Sequence, residues 1–308
     1  MNDSKPLVWL PFDPSVLGAP PDALRYEVVV PDQERGLPES AAEVAFYVPP
    51  YRFHPYDGEV IAQLPRLQVV QTQTAGVDHL RGLVPAGVRL CSGRGIHDAS
   101  TAELALTLIL ASLRGIPGFV RAQDRGEWAP ERRASLADRR VLVVGHGAIG
   151  EAIERRLAGF ETEVVRVARR ARAGVHGVDE LPALLPEADV VVLILPVTDE
   201  TKGLVDAAFL RSMKDGALLV NVARGAIVDT DALVAALHEG RIRAALDVTD
   251  PEPLPAGHPL WNAPNLLLSP HVGGDSTAME PRAHRLVLEQ LRRFAVGEEL
   301  ANVVDGSY

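Results

Sequence analysis

Along the first 93 residues, short apolar runs alternate with polar or proline-containing segments. The runs are LVWLPF from Leu7, YEVVVP from Tyr26, EVAFYV from Glu43, LQVVQTQ from Leu67 and VRLCSG from Val88. Their length and separation predict strands of a parallel sheet with short helices between them. At residues 100–114 the pattern changes to STAELALTLILASLR, a long apolar helix. Ser100 is its expected N-cap, with Glu103 as the capping-box partner, and the helix is placed to join two domains. A second and more regular set of strands follows: RVLVVG (140–145), EVVRVA (163–168), VVVLIL (190–195), ALLVNV (217–222), RAALDV (243–248) and NLLLSP (265–270). Helix-length segments such as EAIERRLAGF and DALVAALHEG separate most of them, with Asp231 the expected N-cap of the latter. Repetition of the strand–helix–strand unit predicts an α/β fold with a doubly wound parallel sheet. Residues 276–296, rich in Arg, Leu and Glu, predict a last helix that returns to the first domain.

The first strand of the second set runs into VLVVGHGAIG, which spaces Gly145, Gly147 and Gly150 as GxGxxG between a buried strand and a helix. That context suits a dinucleotide: a tight turn, backbone approach to the pyrophosphate, and close helix-to-strand packing. The candidate cofactor contacts are therefore Gly145, His146, Gly147, Ala148, Ile149 and Gly150, with His146 as a loop residue rather than a catalyst. In such units the second strand ordinarily ends in an acid that binds the ribose hydroxyls. Here it ends in Ala168, Arg169 and Arg170, within the sequence EVVRVARRAR. Loss of the acid removes repulsion of a 2′-phosphate, and guanidinium groups supply charge-assisted hydrogen bonds in its place. Two such contacts, screened by solvent, predict about 10- to 100-fold preference for NADP over NAD. Of Arg166, Arg169, Arg170 and Arg172, the pair at 169 and 170 follows the strand end directly and is the first choice. The alternative is a solvated basic face.

Composition narrows the remaining possibilities. The 308 residues are 47% hydrophobic and 23% charged, and the formal net charge is −10. An acidic chain of this kind argues against broad nucleic-acid or anionic-membrane binding, which needs a basic face. The one cysteine, Cys91, excludes an intrachain disulfide and a cysteine-built metal site, and no metal is expected. The N-terminal sequence lacks the basic start and apolar core of a signal peptide, and ELALTLILASL is too short to span a bilayer. A cytoplasmic protein is expected.

Hydride transfer between a nicotinamide and a carbonyl needs a proton donor at the oxygen and a cation that orients the substrate. Arg224 stands in the turn after a buried strand, in NVARGAIVD. Asp247 ends the next strand, with Glu252 in the loop beyond it, and His271 follows the last strand. All of them leave one edge of one predicted sheet, where open α/β sheets bind ligands. A carboxylate beside an imidazolium favours its charged form, which fits His271 and Glu252 as a proton-donating pair.

These residues carry a resemblance. The run ETKGLVDAAFLRSMKDGALLVNVARGAIVDTDALVAALHEG, followed by ALDVTDPEPLPAGHPLWNAPNLLLSPHVGG, resembles the D-2-hydroxyacid dehydrogenase family nearly throughout. With VLVVGHGAIG and STAELALTLILASLR, the match extends over residues 67–275. It implies two doubly wound domains, with a Rossmann NAD(P)-binding domain (99–275) inserted in a flavodoxin-like substrate domain (1–98 and 276–308) and an active site in the cleft. It implies Arg224 on the substrate carboxylate and carbonyl, His271 as general acid–base, Glu252 holding and tuning it, and Asp247 on the nicotinamide carboxamide. TQTAGVDHL resembles the family's substrate-carboxylate loop, with the amides of Ala75 and Gly76 as donors, and Thr101, Pro196 and Ala223 match positions that line the cofactor. Tyr51 and Arg52, in VPPYRFH, are further candidates for substrate selection.

The departures matter too. Thr249 replaces a frequent aromatic, and the missing ribose acid is shared with NADPH-dependent glyoxylate and hydroxypyruvate reductases. Glu252 speaks against formate dehydrogenase chemistry, which uses glutamine there. The expected reaction is NADPH-preferring reduction of a small 2-keto acid to the D-2-hydroxy acid, with NAD as a possible second cofactor. The alternatives are oxidation of another small anion such as phosphite, or a dinucleotide-sensing, corepressor-like binding protein. The resemblance also suggests a homodimer, with the segment from Arg121 to Arg133, including Trp128, as an arm.

Overall fold

The computed structural model describes residues 5–51, 56–80 and 82–304. The chain divides into two compact units, Met1–His97 with Thr277–Tyr308, and Asp98–Ser276.

In the first unit the five N-terminal apolar runs form β1 (Leu7–Leu10), β2 (Arg25–Val28), β3 (Val44–Tyr47), β4 (Val69–Gln71) and β5 (Arg89–Cys91), with helix α1 (Tyr56–Ala62) between β3 and β4. They pair in the order β2-β1-β3-β4-β5, each pairing parallel. Alternate residues of each strand go to opposite faces, as the strand period requires. Leu7, Trp9, Tyr47 and Val70 enter one apolar cluster, while Val8, Leu10, Phe46 and Val69 enter another.

The second unit opens with α2 (Asp98–Arg114) and α3 (Ile116–Asp124) and continues through β6 (Arg140–Val144), α4 (Ala148–Leu157), β7 (Glu163–Ala168), β8 (His176–Gly177), α5 (Leu181–Leu184) and β9 (Val190–Leu193). It ends with α6 (Ala207–Ser212), β10 (Leu218–Asn221), α7 (Thr230–His238), β11 (Arg243–Leu246) and β12 (Leu266–Leu268). The sheet order is β12-β11-β10-β9-β6-β7-β8, and all its pairings are parallel. Val141 and Val143 lie in the cluster under α2 and α4, whereas Leu142 and Val144 lie in the cluster on the other face. Burial on both faces explains why these strands read as continuous apolar runs. Each fully buried Val or Leu contributes about 1.5–3 kcal/mol. The chain leaves β6 toward β7 and β8, then returns to β9 on the other side of β6. The carboxyl ends of β6 and β9 therefore flank the switch point where doubly wound sheets bind ligands.

The last helix, α8 (Met279–Val296), belongs to the first unit. Val287 and Leu291 pack with Val8 and Phe46, and Phe294 meets Phe46 edge-on at 5.3 Å. The fully buried Gln290 donates to the Gln71 side-chain carbonyl at 2.6 Å, so α8 is tied to β4 by a polar contact as well as an apolar one.

Two caps differ from expectation. Helix α2 starts at Asp98, so Ser100 lies inside it rather than capping it. Asp229, not Asp231, caps α7: its backbone is extended (φ −68°, ψ 108°) and its carboxylate accepts from Ala232 N at 3.0 Å. Asp231 is already helical, and its acid favours the first turn through the helix dipole. Among the described residues no single helix is long and apolar enough to cross a membrane; α2 and α3 pass that test only as a pair bent by 67°.

Candidate active site

The glycine loop leaves β6 and enters α4. Gly145 has φ 109°, and a Cβ there would overlap the Ile194 carbonyl at the end of β9; one on Gly150 would overlap the Gly145 carbonyl. These two glycines are required by packing. Gly147 differs, because a Cβ on it would meet nothing within 4 Å, yet it caps α4 without a side-chain hydrogen bond. An open position beside uncapped helix N–H groups, including those of Ala148 and Ile149, is the cradle that a dinucleotide pyrophosphate fits.

Beside this loop stands a charge cluster that sequence reasoning missed. His146 Nε2 donates to Glu154 Oε2 at 2.7 Å, and Arg166 also grips Glu154, with Nε at 2.7 Å from Oε1. Burial opposes ionisation of Glu154 less than the Arg166 hydrogen bond favours it, and its pKa falls to about 2. Arg172 reaches back to the loop and donates to the His146 carbonyl at 3.0 Å. Of the four arginines, Arg166 is therefore committed to Glu154 and Arg172 to the loop. Arg169 and Arg170 are exposed at the end of β7. The hydroxyl of Thr198, with a smaller contribution from the Arg169 charge, holds the Glu200 carboxyl below its ordinary range. Exposed Pro196 precedes this loop, and its carbonyl accepts from Thr201 at 2.7 Å.

The residues expected to carry acid–base chemistry follow β10, β11 and β12. Asn221, buried at the end of β10, accepts from Ala223 N at 3.0 Å and donates to the Arg224 carbonyl at 2.8 Å, which shapes the turn that presents Arg224. Arg224 is half-buried, with extended backbone, and its Nη1 donates to the Ala223 carbonyl at 2.8 Å. Asp247 is 2% exposed. Its carboxylate accepts from Ser269 Oγ (2.6 Å), Val272 N (3.0 Å) and Gly273 N (2.8 Å), and its carbonyl accepts from His271 N at 2.7 Å. That net holds His271 at φ 53°, a left-handed conformation uncommon for a side-chain-bearing residue. A carboxylate offers roughly four acceptor positions, and these three donors occupy most of them. Thr101 in α2 stands against Gly273: its Cγ2 would be 3.6 Å from a Cβ placed there.

His271 Nδ1 is hydrogen-bonded to Glu252 Oε1. Burial pushes the Glu252 carboxyl up, but the bond and charge of His271, a Thr249 backbone hydrogen bond and the Arg224 charge together outweigh it and hold the carboxyl below its ordinary range. Thr249 also donates through its hydroxyl to the Pro251 carbonyl at 2.9 Å. The residue that departs from the family pattern thus braces the loop that carries Glu252.

In the first unit, Ala75 and Gly76 are half-buried in the loop after β4. Tyr51 is half-buried and stacks on His97. Arg52 lies outside the described residues.

A model of the "D-isomer specific 2-hydroxyacid dehydrogenase, NAD binding domain" family matches residues 106–273. The chain belongs to the D-isomer specific 2-hydroxyacid dehydrogenase family. It is an NAD(P)-dependent oxidoreductase acting on the CH–OH group of 2-hydroxy acids. It is 34% identical over 261 residues to a glyoxylate reductase of Thermofilum pendens, across 79% of this chain and 76% of that one. A D-isomer specific 2-hydroxyacid dehydrogenase of Xanthobacter autotrophicus Py2, solved with NADPH and MES, superposes with a TM-score of 0.83 at 34% identity, covering 98% of both chains. An NADPH-dependent glyoxylate/hydroxypyruvate reductase of Sinorhizobium meliloti, solved with NADP and sulfate, gives 0.82 at 25% identity and 98% coverage of each. Membership agrees with what the motifs implied, and both parallel α/β sheets agree with the expected fold.

Proposed function

We propose that this dehydrogenase is an NADPH-preferring reductase of small 2-keto acids, glyoxylate or hydroxypyruvate first, giving the D-2-hydroxy acid where the product is chiral. The His271–Glu252 pair carries the reading, because it supplies an oriented imidazole beside a carboxylate that remains ionised. With Nδ1 engaged by Glu252, Nε2 is the atom that exchanges a proton with the substrate. In reduction His271 gives that proton to the keto oxygen; in oxidation it takes the proton from the hydroxyl. Arg224 binds the carboxylate and polarises the carbonyl through its fixed charge. For the first unit, the reading assigns the amides of Ala75 and Gly76 to the substrate carboxylate and Tyr51 to substrate selection.

A bound nicotinamide coenzyme supplies the hydride. The loop from Gly145 to Gly150 would hold its pyrophosphate, Thr101, Pro196 and Ala223 would line it, and Asp247 would take the carboxamide. NADP preference rests on Arg169 and Arg170, exposed at a strand end that lacks the ribose acid, and it accords with the NADPH and NADP named for the two solved relatives. The reading includes a cytoplasmic setting and a homodimer. Trp128, 95% exposed in the segment that follows α3, is the residue a second copy would cover.

Initial rates with glyoxylate and hydroxypyruvate, following oxidation of NADPH and NADH side by side, test the proposal. A higher kcat/KM with NADPH is expected. Turnover favouring NADH would overturn the cofactor assignment alone, and no turnover of any 2-keto acid would overturn the reaction.

A further inference from the structure

The first unit contains a buried histidine that the acid–base chemistry does not use. His97 is 5% exposed and closes the turn that follows β5. Its Nε2 lies 2.7 Å from the Gln73 carbonyl oxygen. A carbonyl only accepts, so Nε2 carries a proton and donates.

The neighbouring peptide is fixed in the same direction. The Thr74 carbonyl accepts from Gly93 N at 2.7 Å and from the Thr72 hydroxyl at 2.9 Å. Gly93 begins the turn that His97 ends, and Ile96 N closes it on the Gly93 carbonyl at 3.1 Å. The two segments approach so closely that a Cβ on Gly93 would stand 2.7 Å from the Gln73 carbonyl carbon and oxygen. Two successive carbonyls, of Gln73 and Thr74, therefore face the 93–97 turn. In a trans peptide the N–H points opposite to the C=O. The N–H groups of Thr74 and Ala75 are consequently directed away from the turn, toward the other side of the 72–76 loop. The Gln73 side chain extends the scaffold by donating to the Pro49 carbonyl at 2.9 Å. Tyr51, two residues on, stacks on the His97 ring with centroids 5.4 Å apart.

We propose that His97 is a positioning residue for the substrate carboxylate: by holding the Gln73 carbonyl it fixes the peptide that leads into the Thr74–Ala75 peptide held by Gly93, and so sets the direction of the Ala75 amide, and through Tyr51 it ties the segment at 49–51 to the same loop. This rests on the reading of residues 72–76 as the carboxylate loop. In this role His97 acts through the loop, on substrate binding and not on proton transfer. Because the donor sits on Nε2 in both the neutral and the charged ring, the bond does not require His97 to be ionised.

The test is steady-state kinetics of the full-length enzyme with the 2-keto acid it turns over best, for His97→Ala and His97→Gln, with melting temperatures recorded. Glutamine places an N–H donor near the position of Nε2. For His97→Ala the expected result is a rise in keto-acid KM of about 10-fold, with kcat and NADPH KM close to parental. His97→Gln should recover most of the lost affinity. Oxamate, a carboxylate analogue of a 2-keto acid, should lose inhibitory potency in parallel. An unchanged keto-acid KM in a folded His97→Ala would overturn the proposal and leave the reductase reading standing. So would a Gln variant no better than Ala in KM, or a fall in kcat without a change in KM. A parent enzyme inert toward every 2-keto acid would overturn the reading beneath it.

Discussion

Besides the His176–Glu180 pair at β8, the described residues of the second unit hold two histidine–glutamate pairs, His146–Glu154 beside the glycine loop and His271–Glu252 at the end of the sheet. Their surroundings differ in a way that separates structure from chemistry. Glu154 is shared: Arg166 grips the same carboxylate, and Arg172 adds a donor on the His146 carbonyl. The imidazole is one member of a closed network whose net effect is to fasten the loop between β6 and α4 to β7. At Glu252 the bond and charge of His271 are the main influences that favour ionisation, with the charge of Arg224 a smaller one, and His271 is the side chain it orients. The backbone of His271 is held in a left-handed conformation by Asp247, not by the glutamate. One pair is therefore designed around its carboxylate and the other around its imidazole.

The sharpest break of this comparison is removal of each imidazole in turn. His271→Ala should lower kcat by about 10²–10⁴-fold, the range for loss of a general acid–base, with NADPH affinity retained. His146→Ala should leave kcat near the parental value and shift only cofactor binding and thermal stability. Stopped-flow single turnovers with fluorescence titration of NADPH separate the two. Equal losses of kcat in both variants would remove the distinction. The pH dependence sharpens it. Glu252 is held below its ordinary range, so it stays ionised through mildly acid pH, and kcat/KM for reduction should show no acid limb at the usual glutamate pKa. Glu252→Gln should alter that profile as well as the rate.

The arginines at β7 give the next effect in size. Arg166 is bonded to Glu154 and Arg172 to the His146 carbonyl, and Arg169 and Arg170 are exposed at the position where related units carry an acid. Replacing both exposed residues by alanine should reduce the preference for NADPH over NADH by about 10- to 100-fold at low salt, and by less as salt screens the phosphate. An Arg166→Ala variant should act differently, by loosening Glu154 and affecting both cofactors alike. If it changed the NADPH-to-NADH ratio as much as the double variant, Arg166 would belong with the phosphate-binding group.

The same contrast shows what was legible in the sequence. β1, β3, β4, β9 and β10 were readable because every residue in them is buried, on both faces, and the glycine loop because Gly145 and Gly150 answer to steric demands that allow no side chain. β8 was not foreseen: it has two residues, His176 and Gly177, too few to carry a period. The true cap of α7 escaped because VDTDAL offers two aspartates, and only the backbone shows that Asp229 is extended and Asp231 helical. The proposed set of Arg224, Glu252 and His271 came from local motifs, whereas Asn221, Ser269 and Thr249, which shape the turns around these residues, were visible only as polar residues near strand ends. His97 was missed for a related reason. Its partner is the main chain of Gln73, 24 residues earlier, and a bond to a backbone carbonyl leaves no mark in side-chain spacing.

The smallest effect expected concerns the carboxylate at the centre of the structural pair. Glu154 has its pKa lowered from 4.5 to about 2 in the folded chain, so folding favours the ionised form. The stability it contributes is fully present above pH 4.5 and is lost as the pH falls toward 2. With its side chain one-quarter exposed, solvent screening reduces that contribution to about 1–2 kcal/mol. Glu154→Gln should therefore lower the melting temperature at neutral pH by about 2–4 °C per kcal/mol lost. The gap to the parent should narrow as the pH is lowered from 4.5 toward 2, because protonation then does to the parent what the substitution does at every pH. Calorimetric scans across that range measure the convergence. A gap that stayed constant would mean that Glu154 contributes through the shape of its hydrogen bonds, which glutamine partly keeps, and not through its charge. His146 and His271 would then differ in what their partners bind, but not in the electrostatic work those partners do.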